Sequence, residues 1–146
     1  MESALEGCAR LYDQHKFKRL GLSNFPAWMV SEACHICEVH GWMRPSVYEG
    51  LYNALSRNAE RELDSALSYY GMRFYAYNPL AGGILTDKYY DRNGGIQEGR
   101  FTYRPNYQQR YWKDSYFEAV DHIRKACAPY DMDVAEAAYR WIAYHS

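Results

Sequence analysis

Along the chain, short runs with the alternation of extended backbone take turns with longer runs whose apolar residues recur at helical spacing. Three short runs read as strands: Lys18-Arg19-Leu20-Gly21-Leu22-Ser23, Ser46-Val47-Tyr48-Glu49 and Arg73-Phe74-Tyr75-Ala76-Tyr77. The longer runs each carry an apolar stripe: Leu5, Cys8, Leu11 and Tyr12; Val30, Cys34 and Cys37; Ala59, Leu63, Ala66 and Tyr70. Extended and helical runs in that order predict parallel β/α units, an α/β fold in which each stripe lies on a sheet.

Local signals place the joints. Gly41 and Gly71 stand just ahead of the second and third strands, where a helix ends readily on a left-handed residue that carries no Cβ. Pro26 suits the first turn of the second helix, where its missing N–H removes no bond. Ser115 with Glu118, and Asp133 with Glu136, place a side-chain oxygen three residues ahead of a carboxylate. That is the spacing of a reciprocal N-terminal cap, so two final helices are expected to begin there. Between the third strand and those helices, Tyr89 to Lys113 is polar and aromatic, with Asn93-Gly94-Gly95 and the arginines Arg100, Arg104 and Arg110. A stretch that long without regular elements predicts a functional lid or a mobile segment. The final residues, Trp141 to Ser146, read as helix with no strand after them.

Composition narrows the class. Hydrophobic residues at 48% against 24% charged predict a chain that buries a core. Seventeen basic and eighteen acidic residues leave a net charge of −1, which gives no global pull toward a polyanion, so neither nucleic acid nor a membrane surface is an expected partner. No apolar run approaches the ~18 residues of a membrane span, and the acidic start Met1 to Glu6 lacks the basic and apolar regions of a signal peptide, so a cytoplasmic protein is expected. The four cysteines fall in helical runs, which predicts free thiols in a reducing compartment. Cys34-His35-Ile36-Cys37 has a metal-like spacing, but it lies inside one helix without a second pair, whereas zinc takes about four ligands. Buried thiols and no metal site are expected. Arg100 to Trp112 interleaves arginine with aromatic rings as single-strand binders do, yet the chain lacks their basic footprint, and a surface loop is expected.

The segment Phe74 to Lys88 is the richest in candidate chemistry. A strand runs into Asn78-Pro79 and then Gly82-Gly83, with Lys88 following. Backbone amides without side chains in the way, beside a positive charge, suit a diphosphate; an ordinary glycine-assisted turn has the same composition.

Three motifs, Gly21-Leu22-Ser23-Asn24, Val47-Tyr48-Glu49-Gly50-Leu51-Tyr52-Asn53 and Tyr75-Ala76-Tyr77-Asn78-Pro79-Leu80-Ala81-Gly82-Gly83, stand in the order and spacing of the aldo-keto reductases. Asp87-Lys88-Tyr89, Gly99-Arg100-Phe101, Arg110-Tyr111-Trp112-Lys113 and Arg140-Trp141 extend the likeness over nearly the whole chain, which most resembles the aflatoxin-aldehyde reductase subfamily. The resemblance implies a partial (β/α)₈ TIM barrel: residues 1–146 correspond to strands five to seven with their helices, and the chain is shorter than the ~200 residues a whole barrel needs. It implies NADPH as cofactor and a small-molecule aldehyde or ketone as substrate. By the same resemblance, Ser23 and Asn24 bind the nicotinamide carboxamide, Tyr77 lies near the nicotinamide face with Tyr75 the alternative, Asn78, Pro79, Leu80, Ala81, Gly82, Gly83 and Lys88 wrap the diphosphate, and Arg100 lies close to the ligand.

Glu49 departs from the family, which usually has glutamine there; an ionised carboxylate accepts from a carboxamide but cannot donate to it. The family's tyrosine acid, with its lysine, aspartate and histidine, lies on strands ahead of the matched region, and His15 is too far along its helix to stand in for the histidine. No catalytic residue is therefore assigned to this chain, and it is expected to be inactive alone. Strand eight and the loop that grips the adenosine 2′-phosphate are likewise expected to be absent. The alternative is a non-catalytic half-barrel that binds a nucleotide or another subunit. Strand edges left open by a partial barrel predict self-association.

Overall fold

The computed structural model describes residues 1–89, 95, 96 and 98–145; the Asn93-Gly94 portion of the long polar stretch and Ser146 lie outside the described residues. The chain forms two compact units, one of Met1–Leu51 with Asn58–Tyr77, the other of Tyr52–Arg57 with Asn78–Ser146.

The first unit runs α1 (Glu2–Asp13), β1 (Gly21–Ser23), α2 (Ala27–Val39), β2 (Val47–Leu51), α3 (Leu63–Tyr69) and β3 (Arg73–Tyr77). Its sheet has the order β1-β2-β3, all parallel, as the alternation of strand and helix predicts. The register pairs Leu22 with Tyr48 and Tyr48 with Phe74, and then Ser23 with Glu49 and Glu49 with Tyr75. Successive residues of a strand face opposite ways. The first row therefore lies on the core side, where Leu22 and Tyr48 are buried, and the second on the other side, where Ser23, Glu49 and Tyr75 are exposed.

Helix ends in this unit share one device. At α2 the Trp42 amide donates to Cys37 O at 2.8 Å and Gly41, at φ 66°, donates to Glu38 O at 3.2 Å. At α3 the same pair of bonds runs from Met72 to Leu67 and from Gly71, at φ 64°, to Ser68. These are the two bonds of a Schellman stop, and the glycines supply its left-handed residue as predicted. α1 ends the same way on a non-glycine residue, His15, at φ 57°.

The predicted core stripe Val30, Cys34 and Cys37 is buried, joined by Leu5, Ala33, Leu67 and Met72. All four cysteines are free. Two other stripes need correction. In α1 the buried residues are Leu5 and Ala9, while Leu11 and Tyr12 are 46% and 37% exposed. α3 is only seven residues; the expected Leu63 and Tyr70 pack partly buried against the core, but Leu67 is its buried member, and Ala59 lies ahead of it in a separate 3₁₀ turn, Asn58–Glu60. The strand bounds shift as well: Lys18 to Leu20 lead into β1 without joining it, whereas β2 continues to Leu51 because β3 offers Ala76 and Tyr77 as partners.

The second unit contains α4 (Arg100–Tyr103), α5 (Pro105–Tyr111), α6 (Asp114–Cys127) and α7 (Val134–His145). Its core sets three buried rings, Tyr89, Phe101 and Tyr111, among Ala81, Ile84, Leu85, Val120, Val134 and Ala138. Phe101 meets Tyr89 at 5.0 Å and Trp112 at 5.1 Å between ring centroids, both edge to face, and Trp112 meets Phe117 at 5.0 Å. Phe101 and Tyr111 are fully buried, so the described part of the stretch expected to be a lid or mobile segment is core-forming. α7 starts as predicted, with Asp133 Oδ1 accepting from the Glu136 amide at 2.7 Å. α6 does not: it begins at Asp114 with Lys113 before it, which puts Ser115 inside the first turn and leaves no side-chain cap.

Candidate functional site

In the first unit the candidate residues gather where the exposed face of the sheet meets the C-terminal ends of its strands. Tyr77 stands two residues beyond Tyr75 on β3 and so faces the same way, one step nearer that end. Asn24 follows β1 with φ at 58°, a left-handed turn that asparagine tolerates better than most residues. The turn carries its amide back over the sheet: Nδ2 donates to Ser23 Oγ at 3.0 Å, and Oδ1 accepts from the Tyr77 hydroxyl at 2.8 Å. Tyr77, and not Tyr75, is thus the tyrosine joined to Ser23 and Asn24. Glu49 lies next to Ser23 in the register and is exposed.

The chemistry of this set suits a primary carboxamide. The Ser23 hydroxyl and Asn24 Nδ2 are donors for a carbonyl oxygen, while Asn24 Oδ1 and the Glu49 carboxylate are acceptors for an NH₂ group. A cleft of about 560 Å³ also borders Asn24, between Phe25, Tyr48, Gly50 and Arg61. Tyr48 donates to the Phe25 carbonyl at 2.7 Å, and burial pushes its phenol up from the usual range, with that backbone bond acting the other way.

In the second unit Asn78 organises the turn. Its backbone is left-handed, at φ 63°, its Oδ1 accepts from the Gly82 amide at 2.7 Å, and its Nδ2 donates to the Tyr111 hydroxyl at 2.8 Å. Asn53, fully buried, donates through Nδ2 to the Asn78 carbonyl at 3.1 Å and to Tyr111 Oη at 3.3 Å, and its Oδ1 accepts from the Leu55 amide at 3.0 Å. Every hydrogen-bonding group of the Asn53 side chain that is out of water thereby has a partner, which is the condition for burying an amide.

Six predicted residues, Asn78, Pro79, Leu80, Gly82, Gly83 and Arg100, line one cleft of about 370 Å³, with Tyr139 as a further wall. Ala81 is not among them: it is fully buried in the core. Lys88 lies apart from this cleft, its Nζ donating to the Glu98 carbonyl at 2.7 Å. The Arg100 guanidinium lies 5.2 Å from the Tyr107 ring centroid, and Nη1 donates to the Tyr107 hydroxyl at 3.2 Å. Aromatic stacking and one hydrogen bond hold the cation in place without neutralising it.

The expectation of open backbone amides is corrected. The amides of Ala81, Gly82, Gly83, Ile84 and Leu85 donate to Asn78 O, Asn78 Oδ1, Leu80 O, Ala81 O and Leu80 O within the turn. A diphosphate in this cleft would be met by side chains, Arg100 foremost. The glycines instead make room for rings: a Cβ on Gly82 would sit 2.7 Å from Tyr107 Cδ1, and one on Gly83 would sit 3.2 Å from Tyr89 Cε2.

Asn53 and Tyr111 stand inside the motifs that carry the resemblance, but sequence reasoning gave neither them nor Tyr139 a place at the site. No periodicity marks them: Asn53 and Tyr111 act through a contact distant in sequence, and Tyr139 lines the cleft from a helix far along the chain. Among the described residues no group of three or more His, Cys, Asp or Glu is placed to hold a metal ion, and no helix is long and apolar enough to cross a membrane.

The pattern of the Aldo/keto reductase family matches residues 1–146. The chain is 45% identical to human "Aflatoxin B1 aldehyde reductase member 2", over all of this chain and 43% of that protein. It is 44% identical to human "Aldo-keto reductase family 7 member A3", over all of this chain and 47% of that protein. With Monascus ruber "Aldo-keto reductase pigE" the identity is 34%, again over the whole chain and 45% of the relative. The chain thus spans less than half the length of these curated relatives.

Proposed function

The chain belongs to the aldo/keto reductase family, and on that premise we propose that it supplies the cofactor cradle of an NADPH-dependent aldehyde or ketone reductase of the cytoplasm. Its three parallel strands stand as strands five to seven of a (β/α)₈ barrel, whose functional groups gather at the C-terminal ends of the strands. Ser23, Asn24 and Glu49 hold the nicotinamide carboxamide in the first unit, with Tyr77 fixing the orientation of the Asn24 amide. Arg100 takes negative charge from the diphosphate in the second unit, at the cleft lined by Asn78, Pro79, Leu80, Gly82 and Gly83. When bound, the cofactor supplies a hydride for the carbonyl carbon.

The observation that carries this reading is the hydrogen-bonded set Ser23, Asn24 and Tyr77, which joins the ends of β1 and β3 on the exposed face of the sheet. Glu49 limits affinity, because it accepts without donating and places a negative charge at the carboxamide. No catalytic acid is assigned among these residues, and with Glu49 at the carboxamide the chain by itself is expected to bind weakly and not to turn over. An NADPH fluorescence titration beside an NADPH oxidation assay with an aromatic aldehyde tests both halves. Weak saturable binding without oxidation is expected; oxidation by the chain alone would overturn the assignment of a cradle without an acid.

One observation favours a second role. β1 and β3 each have a single neighbour in the described sheet, so each leaves one side of its backbone unpaired by a strand. Such edges recruit other strands. Self-association is the expected result by light scattering, and a monodisperse monomer would contradict it.

A further inference from the structure

Glu49 stands on the middle strand of the sheet, where the register sets it between Ser23 on β1 and Tyr75 on β3. We propose that this carboxylate determines specificity for the oxidation state of the cofactor, so that the cradle favours the oxidised nicotinamide over the reduced one. The inference rests on the cradle reading above and names which form of that ligand the site keeps. The oxidised ring carries a positive charge that the reduced ring lacks, and the carboxamide is bonded directly to that ring. A fixed negative charge at the carboxamide therefore tells the two forms apart, whereas an amide in its place would not.

Four features support it. Strands pair with β2 on both sides, so the Glu49 backbone belongs to a ladder and not to a loop. Its charge is unspent: among the described residues Glu49 makes no ion pair and no side-chain hydrogen bond. Arg73 is the cation of β3 that shares this face of the sheet; it stands level with Val47, one row back toward the start of the strands, and forms no ion pair with Glu49. The other members of the set are a hydroxyl, an amide and a phenol, from Ser23, Asn24 and Tyr77, none of which is a cation that would cancel the carboxylate.

Because a carboxylate accepts without donating, both forms of the cofactor lose a donor to the carboxamide equally, and the charge alone separates them. Glu49 is exposed, so water screens the attraction and keeps the preference modest. Opposite unit charges a few ångströms apart in water attract with the energy of an about fivefold change in affinity. In the proposed reaction the reduced form gives up the hydride. The form that Glu49 favours is thus the spent one, and the cradle retains its own product.

NADP⁺ and NADPH are the probes, and ADP-ribose is the comparison that has no nicotinamide. Ligand-observed NMR reads their affinities for the 146-residue chain and for Glu49→Gln, with far-UV circular dichroism confirming that the variant is folded. At low salt NADP⁺ is expected to bind the parent chain about fivefold tighter than NADPH, a preference that Glu49→Gln abolishes. The preference should also shrink in about 1 M salt, where the Debye length falls to about 3 Å. ADP-ribose should bind the parent and the variant alike. Equal binding of NADP⁺ and NADPH by the parent, tighter binding of NADPH, a preference that survives Glu49→Gln or high salt unchanged, or ADP-ribose gaining as much as NADPH in the variant would overturn the inference while leaving the cradle standing. Failure of both dinucleotides to bind would remove the cradle reading and this inference together.

Discussion

The two units reach compactness by different routes. The first packs α1, α2 and α3 on one side of a parallel sheet with small and aliphatic residues, Val30, Ala33, Cys34, Cys37 and Leu67, at regular intervals. The second packs the long helices α6 and α7 and the short α4 and α5 around a core in which the large rings of Tyr89, Phe101 and Tyr111 interlock among Ile84, Leu85, Val120 and Val134. One buried amide, Asn53, ties the Tyr52–Arg57 segment to the Asn78 turn. A periodic core tolerates the loss of one member better than a core whose few large rings each fill a site by themselves. The polar groups of the candidate site follow the same division: a register row in the first unit, and the hydrogen bonds of one left-handed asparagine in the second.

The largest effect is expected at Phe101. Phe101→Ala removes a fully buried ring that meets two others edge to face, and should lower stability by about 3–5 kcal/mol, measured by chemical denaturation. A loss below about 1 kcal/mol would show that the aromatic core re-forms around the cavity, and would break the contrast between the units.

Asn53→Ala comes next. It leaves the Leu55 amide without its side-chain acceptor and removes a donor from both Asn78 O and Tyr111 Oη, so a loss of about 1–3 kcal/mol is expected from denaturant midpoints. The same change at an exposed amide such as Asn106 should sit within about 0.5 kcal/mol of the parent.

These two positions also mark what the sequence does and does not reveal. β3 is read to the residue, and Gly41, Gly71, Val30, Cys34, Cys37 and Asp133 take the places their local signals predict, because period, cap and turn are properties of neighbours. Ser115 shows the limit of such signals: its spacing to Glu118 satisfies the cap rule, but Asp114 and Lys113 already continue the chain into the helix. α4 and α5 are shorter than the window in which helical period is visible, so Arg100 to Tyr111 reads as loop. Asn53 and Tyr111 lie 58 residues apart, and their bond is invisible before the fold exists. For the candidate site, the motifs locate Ser23, Asn24 and Tyr77, while the choice of Tyr77 over Tyr75 waits on the strand register and the left-handed turn at Asn24.

Gly50 sharpens the comparison from the side of the first unit. A Cβ there would stand 2.6 Å from Phe74 Cε2 and 2.8 Å from Tyr48 Cε1, so Gly50→Ala must push two rings apart. A loss of about 1–3 kcal/mol is expected by thermal or denaturant unfolding. A neutral result would mean that the sheet and its helices separate more easily than the regular core suggests.

The smallest effect is a pH dependence. Burial is the leading influence on Cys34; Arg44 opposes it, Cys37 and Glu38 add to it, and the thiol is pushed up to about 11. An unfolded thiol ionises near about 8.5, so between roughly pH 9 and pH 11 the unfolded chain has released a proton that the folded chain keeps. Stability contributed by the neutral thiol is complete below that window and falls as pH rises through it. Denaturation curves across the window should show this decline, reduced in Cys34→Ala, and alkylation of Cys34 near about pH 8 should be slow beside that of Cys8 and Cys127.

The central claim is tested most directly by NADPH binding to the chain and to Asn24→Asp. Aspartate tolerates the left-handed backbone and keeps the acceptor for Tyr77, but it replaces the amide donor with a second carboxylate beside Glu49. A titration followed by NADPH fluorescence should show affinity falling by about tenfold or more, as expected for a lost donor and an added charge at the carboxamide. Unchanged affinity in Asn24→Asp would contradict the assignment of Ser23, Asn24 and Tyr77 as the nicotinamide end of the cradle.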